Sequence, residues 1–251
     1  MTSFEFPLNE KVRAYLRADE LLRRVERLIV GGSTLEHHFA LQTLFELQDM
    51  VTRSDIKGDL IRELERQRQG LSALRGNPDI RSELLEQAIQ EFAERHQELS
   101  QMSGKPGQQL GELEWLNALR GRMSIPAGTC AFDLPSYDHW SRQACEVRQA
   151  ELRVLLGHFA QLKDAIELLL RVIRQSGAAR AVVAPNGQLQ YSAPAGRNLQ
   201  LLRMEVDDDD LVPEISANRL VIVIRWMQVN EQHRLNACRR DVNFTLSVCS
   251  G

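Results

Sequence analysis

Arginine is the side chain with the clearest chemical potential in this 251-residue chain, with 27 arginines against four lysines. Its planar fork receives a carboxylate through two parallel hydrogen bonds, which a lysine ammonium cannot do. In the segment running from Arg219 to Gln228, strand alternation places Arg219, Val221, Val223, Arg225 and Met227 on one face and Leu220, Ile222, Ile224 and Trp226 on the other. An arginine at each end of an apolar strip suits an amphipathic, acidic peptide; it equally suits the solvent face of a sheet carrying two scattered arginines. Arg53 and Lys57 stand at the end of a predicted helix and just beyond it. They either receive a partner's carboxylate or neutralise the negative end of the helix dipole. Arg171 and Arg174 lie near a predicted domain boundary, where they line a cleft or tie two halves together. Arg13 and Arg17 alternate with acids and are expected to pair within their own helix.

Other chemistries find no pattern. There is no Gly-rich phosphate loop ending in Lys-Ser/Thr, no His-Glu-x-x-His and no Gly-x-Ser-x-Gly elbow. His37 and His38 are adjacent, so on a helix they point apart and cannot share a metal in the usual way. Asp207, Asp208, Asp209 and Asp210 lack the alternation, turn glycine and distal acid of a calcium loop, and read as a solvated turn. Cys130, Cys145, Cys238 and Cys249 form no Cys-x-x-Cys pair and read as packing thiols of a reducing compartment. No cofactor, metal or catalytic activity is therefore expected. The net charge of −3 gives no reason to expect nucleic acid as a partner. No apolar run approaches the roughly 20 residues that cross a bilayer, and Met1–Pro7 lacks the basic and apolar regions of a signal peptide. A cytoplasmic protein without membrane insertion is the expectation.

The elements that must position these side chains are legible from periodicity. Leu8, Val12, Tyr15, Leu22, Val25 and Ile29 recur every three or four positions and predict a first helix over 8–29. Gly31-Gly32 ends it, and Ser33-Thr34-Leu35-Glu36 reads as a capping box for the next. Helices follow at about 35–52, 58–75, 79–102 and 109–122. Ser124–Pro135 breaks the rhythm and predicts a loop with a strand at Thr129–Phe132. One long helix is predicted over 144–175, with Leu152, Leu155, Phe159, Leu162, Ile166, Leu169 and Ile173 at heptad spacing. It serves either an intramolecular core or a dimer interface. Beyond Gly177 the period falls to two. A hairpin over 181–192 with Asn186-Gly187 in its turn is predicted, then strands near 200–206, 219–228 and 241–248. Short connections imply an antiparallel sheet. The predicted class is α+β: an N-terminal multi-helix domain (1–123 and 136–176) with a small antiparallel β domain formed mainly by the C-terminal third (124–135 and 177–251).

Particular strings carry a family resemblance. They are Phe6-Pro7-Leu8-Asn9-Glu10-Lys11-Val12-Arg13 leading through Leu16-Arg17, and Ser124-Ile125-Pro126-Ala127-Gly128-Thr129-Cys130-Ala131-Phe132-Asp133-Leu134-Pro135 with Trp140 beyond. Later come Ile173-Arg174-Gln175-Ser176 and Ile224-Arg225-Trp226-Met227. In order and spacing these resemble the ZapD family of FtsZ-associated proteins over nearly the full chain, least so after Met227. Ala127 stands where the family often has glycine. The resemblance implies a cytoplasmic homodimer at the mid-cell septum. It implies that this dimer binds the C-terminal tail of FtsZ, cross-links filaments and promotes ring assembly. It also favours the groove reading of Arg219 and Arg225. A helical adaptor for another acidic partner would share the arginine surface and ignore FtsZ; a hydrolase or transferase would need a pocket of convergent titratable groups.

Overall fold

The computed structural model describes residues 1–193, 198–218 and 220–250. The fold is α+β, in two compact units: Arg17–Leu169 is helical, and Met1–Leu16 joins Leu170–Gly251 in a β unit. The boundaries fall inside two helices, α1 (Glu10–Gly31) and α8 (Ala160–Gln175).

Asn9 starts α1 by accepting the Val12 N–H on its side-chain oxygen at 2.9 Å. The predicted apolar stripe is the buried one: Val12, Tyr15, Leu22, Val25 and Ile29 are all core residues. On the polar face Arg13 pairs with Glu10, and Arg24 and Arg27 share Glu20. Arg17, expected to be paired, is exposed and makes no ion pair among the described residues. The capping box is present as read. Ser33 Oγ accepts the Glu36 N–H at 3.1 Å and Glu36 Oε2 accepts the Ser33 N–H at 2.9 Å, which holds the Glu36 carboxyl below its usual range. It launches α2 (Thr34–Arg53), followed by α3 (Ile56–Ser72) and α4 (Ser82–Gln101), which pack on each other. A 3₁₀ turn over Gln108–Glu112 then leads into α5 (Glu114–Arg122).

The segment 124–135 contains turns and no strand, and it groups with the helical unit. Its Asp133 accepts from Arg122 at 2.8 Å, so a local ion pair holds the segment rather than a sheet. Ala127 sits at φ 56° here, a left-handed conformation that explains why glycine suits the position. The segment ends in α6 (Pro135–Ser141), which stacks Tyr137 and Trp140 and brings Trp140 against Trp115 of α5 at 5.5 Å.

The predicted long helix is two helices, α7 (Cys145–Gly157) and α8. The break at His158-Phe159 has a tertiary cause. The His158 carbonyl accepts the Gly107 N–H at 3.2 Å, and Phe159, fully buried, packs so close to Gly107 that a Cβ there would lie 2.1 Å from its ring. Gly107 has φ 71°, so glycine is required twice over. On either side of the break the heptad residues Leu152, Leu155, Leu162, Ile166, Leu169 and Ile173 are buried as predicted.

The β unit contains two sheets where one was expected. The first runs β1 (Thr2–Pro7), β4 (Leu199–Val206), β8 (Val242–Ser250), β2 (Ala179–Ala184); the second runs β3 (Gln188–Ser192), β6 (Val221–Val229), β5 (Leu211–Ala217), with β7 (Leu235–Ala237) also on β6. All pairings are antiparallel. One core joins the sheets, including Leu202, Met204, Phe244 and Leu246 from the first and Ile222, Ile224 and Trp226 from the second. Trp226 meets Phe244 edge-on at 5.0 Å and Phe4 at 6.0 Å.

These pairings correct the predicted hairpin. β2 pairs with β8 and β3 with β6, so Pro185–Gly187 carries the chain from one sheet to the other. The corner is held by Asp241, which accepts the Asn186 N–H at 2.9 Å, and by Gly187, where a Cβ would lie 2.3 Å from the Cys238 carbonyl oxygen. β1 and β5 were not predicted. The alternation Phe4, Phe6 inward and Ser3, Glu5 outward is short, and β5 contains Pro213, which is tolerated because β5 is an edge strand. Asp207–Asp210 forms the turn between β4 and β5, as read, with Asp208 bound to Arg240.

A buried polar node ties the helical unit together. Arg148, 6% exposed, donates Nε–H to His37 Nδ1 at 3.0 Å, Nη2 to the Gly32 carbonyl at 3.0 Å, and Nη1 to the carbonyls of Ser141 and Gln143. His37, 0% exposed, bonds the Ile29 carbonyl through Nε2 at 3.2 Å. The ring is therefore the neutral tautomer with its proton on Nε2, and burial lowers its pKa below the ordinary 6.5. A lowered folded value means that the unfolded chain takes up the proton first. The stability due to neutral His37 is thus complete above about pH 6.5 and is lost as the pH falls from there toward the folded value. Thermal melts from about pH 8 down to about pH 5 are expected to show this loss, with a shallower slope for His37→Gln than for the natural chain.

Candidate partner-binding surface

β6 is the element that displays Arg225. Ile222, Ile224 and Trp226 are at most 1% exposed in the sandwich core, so the alternate residues Val221, Val223, Arg225 and Met227 must face outward. Arg225 is exposed and makes no ion pair or hydrogen bond through its guanidinium among the described residues. Val221, Val223 and Met227 are half-buried beside it. Across the strands Arg225 faces Gln188 of β3 and Glu214 of β5. Glu214, which sequence reasoning missed, is the nearest register-matched carboxylate, and only the strand pairing reveals it. Arg219 lies outside the described residues. Leu220, expected inward, is 74% exposed, because the strand starts at Val221 and Leu220 belongs to a turn whose N–H groups donate to Asn218 Oδ1.

Arg53 and Lys57 belong to the helical unit and differ from each other. Arg53, the last residue of α2, is exposed and makes no ion pair among the described residues. Lys57 on α3 donates to the carbonyls of Met102 at 2.5 Å and Gly104 at 3.0 Å, at the end of α4. Lys105, which the sequence did not single out, does the same for α2 through the Thr52 carbonyl at 2.6 Å. Both ammonium groups satisfy orphan carbonyls at helix C-termini. Of the pair, Arg53 has the open guanidinium and Lys57 is held.

Arg171 is exposed on α8 within the β unit. Arg174, one turn on, makes a two-pronged ion pair with Glu5 of β1, both contacts at 2.8 Å, and Arg203 of β4 approaches the same carboxylate at 3.3 Å. Glu5 and Arg203 are cross-strand neighbours on the outer face of the first sheet. Arg174 and Arg225 therefore act at different sheets: one clamps α8 to β1, and the other projects from β6.

Among the described residues no group of three or more His, Cys, Asp or Glu could hold a metal, and no helix is long and apolar enough to cross a membrane. The family model for ZapD, described as a cell division protein, matches residues 16–225. The chain belongs to the ZapD family. Proteins called Cell division protein ZapD match it end to end. That of Chromobacterium violaceum is 41% identical over 251 residues, covering 99% of both chains. That of Ralstonia pickettii is 38% identical and that of an Azoarcus species 39%, each covering 100% of both chains. The ZapD match ends at Arg225 and so takes in the whole helical unit together with β2 to β5 and the first five residues of β6.

The two arginines should separate on mutation. Arg174→Ala leaves Glu5 without its bidentate partner and is expected to cost about 1–2 kcal/mol, discounted for its partial exposure. Arg225→Ala removes nothing that holds the fold and should stay within about 0.5 kcal/mol. Urea unfolding of both variants followed by circular dichroism measures the difference.

Proposed function

We propose that this protein is a non-enzymatic division factor that binds the C-terminal tail of FtsZ and, as a homodimer, links FtsZ filaments side by side at mid-cell in the cytoplasm. The observation that carries the reading is Arg225: an exposed guanidinium without an ion pair among the described residues, set in an apolar strip on a rigid central strand of a ZapD-family protein. A peptide with carboxylates and apolar side chains needs a fixed cation beside apolar surface, and arginine offers the carboxylate a two-pronged receptor. Within the β unit, Arg219, outside the described residues, is a further candidate cation for such a tail; Arg53 is a separate candidate on the helical unit. Lys57, Arg171 and Arg174 act on a tail only if their present interactions are released.

Bundling follows from valence. One contact of this kind is weak, but two sites on a homodimer facing an array of tails gain from effective concentration, so filaments are joined with no new kind of bond. Because Arg225 is exposed, the interaction should weaken as salt rises and the Debye length shortens.

Co-pelleting with nucleotide-assembled FtsZ tests the reading. The expected result is that intact filaments carry the protein down and tailless filaments do not; failure with both overturns it. A fluorescent tail peptide should bind Arg225→Ala about tenfold more weakly, a loss of ~1.4 kcal/mol. Glu214, opposite Arg225 across the strands, repels the peptide's carboxylate, so Glu214→Gln should tighten binding by about 0.2–1 kcal/mol, the size of a cross-strand charge effect.

A further inference from the structure

The sandwich is incompletely filled along one side. There the edges of the two sheets are β2 and β3, and between them lies a cavity of about 260 Å³. Its walls include apolar residues of both inner faces, Val182 of β2, Leu246 and Val248 of β8, and Leu189 and Tyr191 of β3, with Ser176 and Ser250 also lining it. Arg180 stands at its margin. In register Arg180 faces Leu246, a core residue, so its side chain leaves from the inner face of the sheet rather than the solvent face. It is exposed and makes no ion pair or hydrogen bond through its guanidinium among the described residues.

A charged residue turned inward on an edge strand can simply discourage strand-to-strand aggregation. That role requires no apolar hollow beside the charge, and here there is one. Small-molecule sites usually span roughly 300–1,000 Å³; this hollow is smaller and has room for an amino-acid side chain. Among the described residues β2 and β3 each pair on one side only and leave a free row of backbone groups at the cavity's edge. An extended peptide can add to such an edge through its backbone, with alternate side chains read by pockets. Arg180 and Val182 are same-face neighbours, and the peptide's own alternation has the same period.

We propose that the seam between β2 and β3 is a docking site for an extended acidic peptide, which places one apolar side chain in this cavity and a carboxylate two residues away against Arg180. The site is separate from the Arg225 surface. Arg225 projects from the outer face of the second sheet, whereas this cavity opens between the inner faces. The peptide's recognition rule is an apolar residue and an acid separated by one residue of any kind.

Fluorescence anisotropy on the full chain tests this with a labelled serine/threonine peptide carrying one leucine and, two residues on, one glutamate. Companion peptides replace the leucine by serine or the glutamate by glutamine. Each replacement is expected to weaken binding about tenfold. Arg180→Gln, at an exposed position that leaves the fold intact, should abolish the preference for glutamate over glutamine and keep the preference for leucine. Leu189→Trp fills the cavity and should abolish the leucine preference, its folding being checked by thermal melting. No saturable binding of the labelled peptide, an undiminished glutamate preference in Arg180→Gln, or an undiminished leucine preference in a folded Leu189→Trp would each overturn the proposal. None of these readouts involves FtsZ, so failure here leaves the tail-binding reading to its own test.

Discussion

The two-residue period of β6 is the constraint on which the candidate surface depends. Ile222, Ile224 and Trp226 complete a core shared with the facing sheet, and Trp226 meets both Phe4 and Phe244 edge-on. A register slip of one residue would place Arg225 in that core and Trp226 in water, a cost of several kcal/mol from the buried charge alone. The alternation is therefore held from the inside, and the outward arrangement of Val221, Val223, Arg225 and Met227 is its obligatory counterpart. A partner-binding strip made this way is rigid because the opposite face is packed, which limits the ordering entropy lost on binding.

The arginine excess becomes informative once its internal partners are identified. Many guanidinium groups are engaged with acids on the same helix, such as Arg62 with Asp59, Arg66 with Glu63 and Arg68 with Glu65. Arg148 is used entirely inside the helical unit, and Arg174 and Arg203 converge on Glu5. Among the described residues the cations left open include Arg53, Arg180 and Arg225. Solvent-exposed pairs along a helix contribute little stability each. Removing Arg148 would be of another order, because it would strand the carbonyls of Gly32, Ser141 and Gln143 together with the ring of His37. The same residue type thus serves as surface solvation, as a structural bolt and as a receptor, and burial with partner geometry decides which.

Local signals in the sequence determined much of this protein: the α+β class, the stripe on α1, the capping box at Ser33, the strands β4, β6 and β8, and the outward placement of Arg225. Each depends on interactions within a turn of helix or on the alternation of a single strand, so nearby residue types suffice to reveal it. Tertiary structure alone decided the rest. The long helix breaks at His158-Phe159 because Gly107, some fifty residues earlier, takes the His158 carbonyl and receives the Phe159 ring. The Asn186-Gly187 turn joins two sheets instead of closing a hairpin because β8 and β6 offer separate partners to its two arms. Lys57 is held by the end of α4, Arg174 by a strand at the other end of the chain, and Arg225 by neither. Helix and strand periods are local sums over adjacent residues, whereas the partner of a charge or an edge is set by what the folded chain brings to it from far along the sequence.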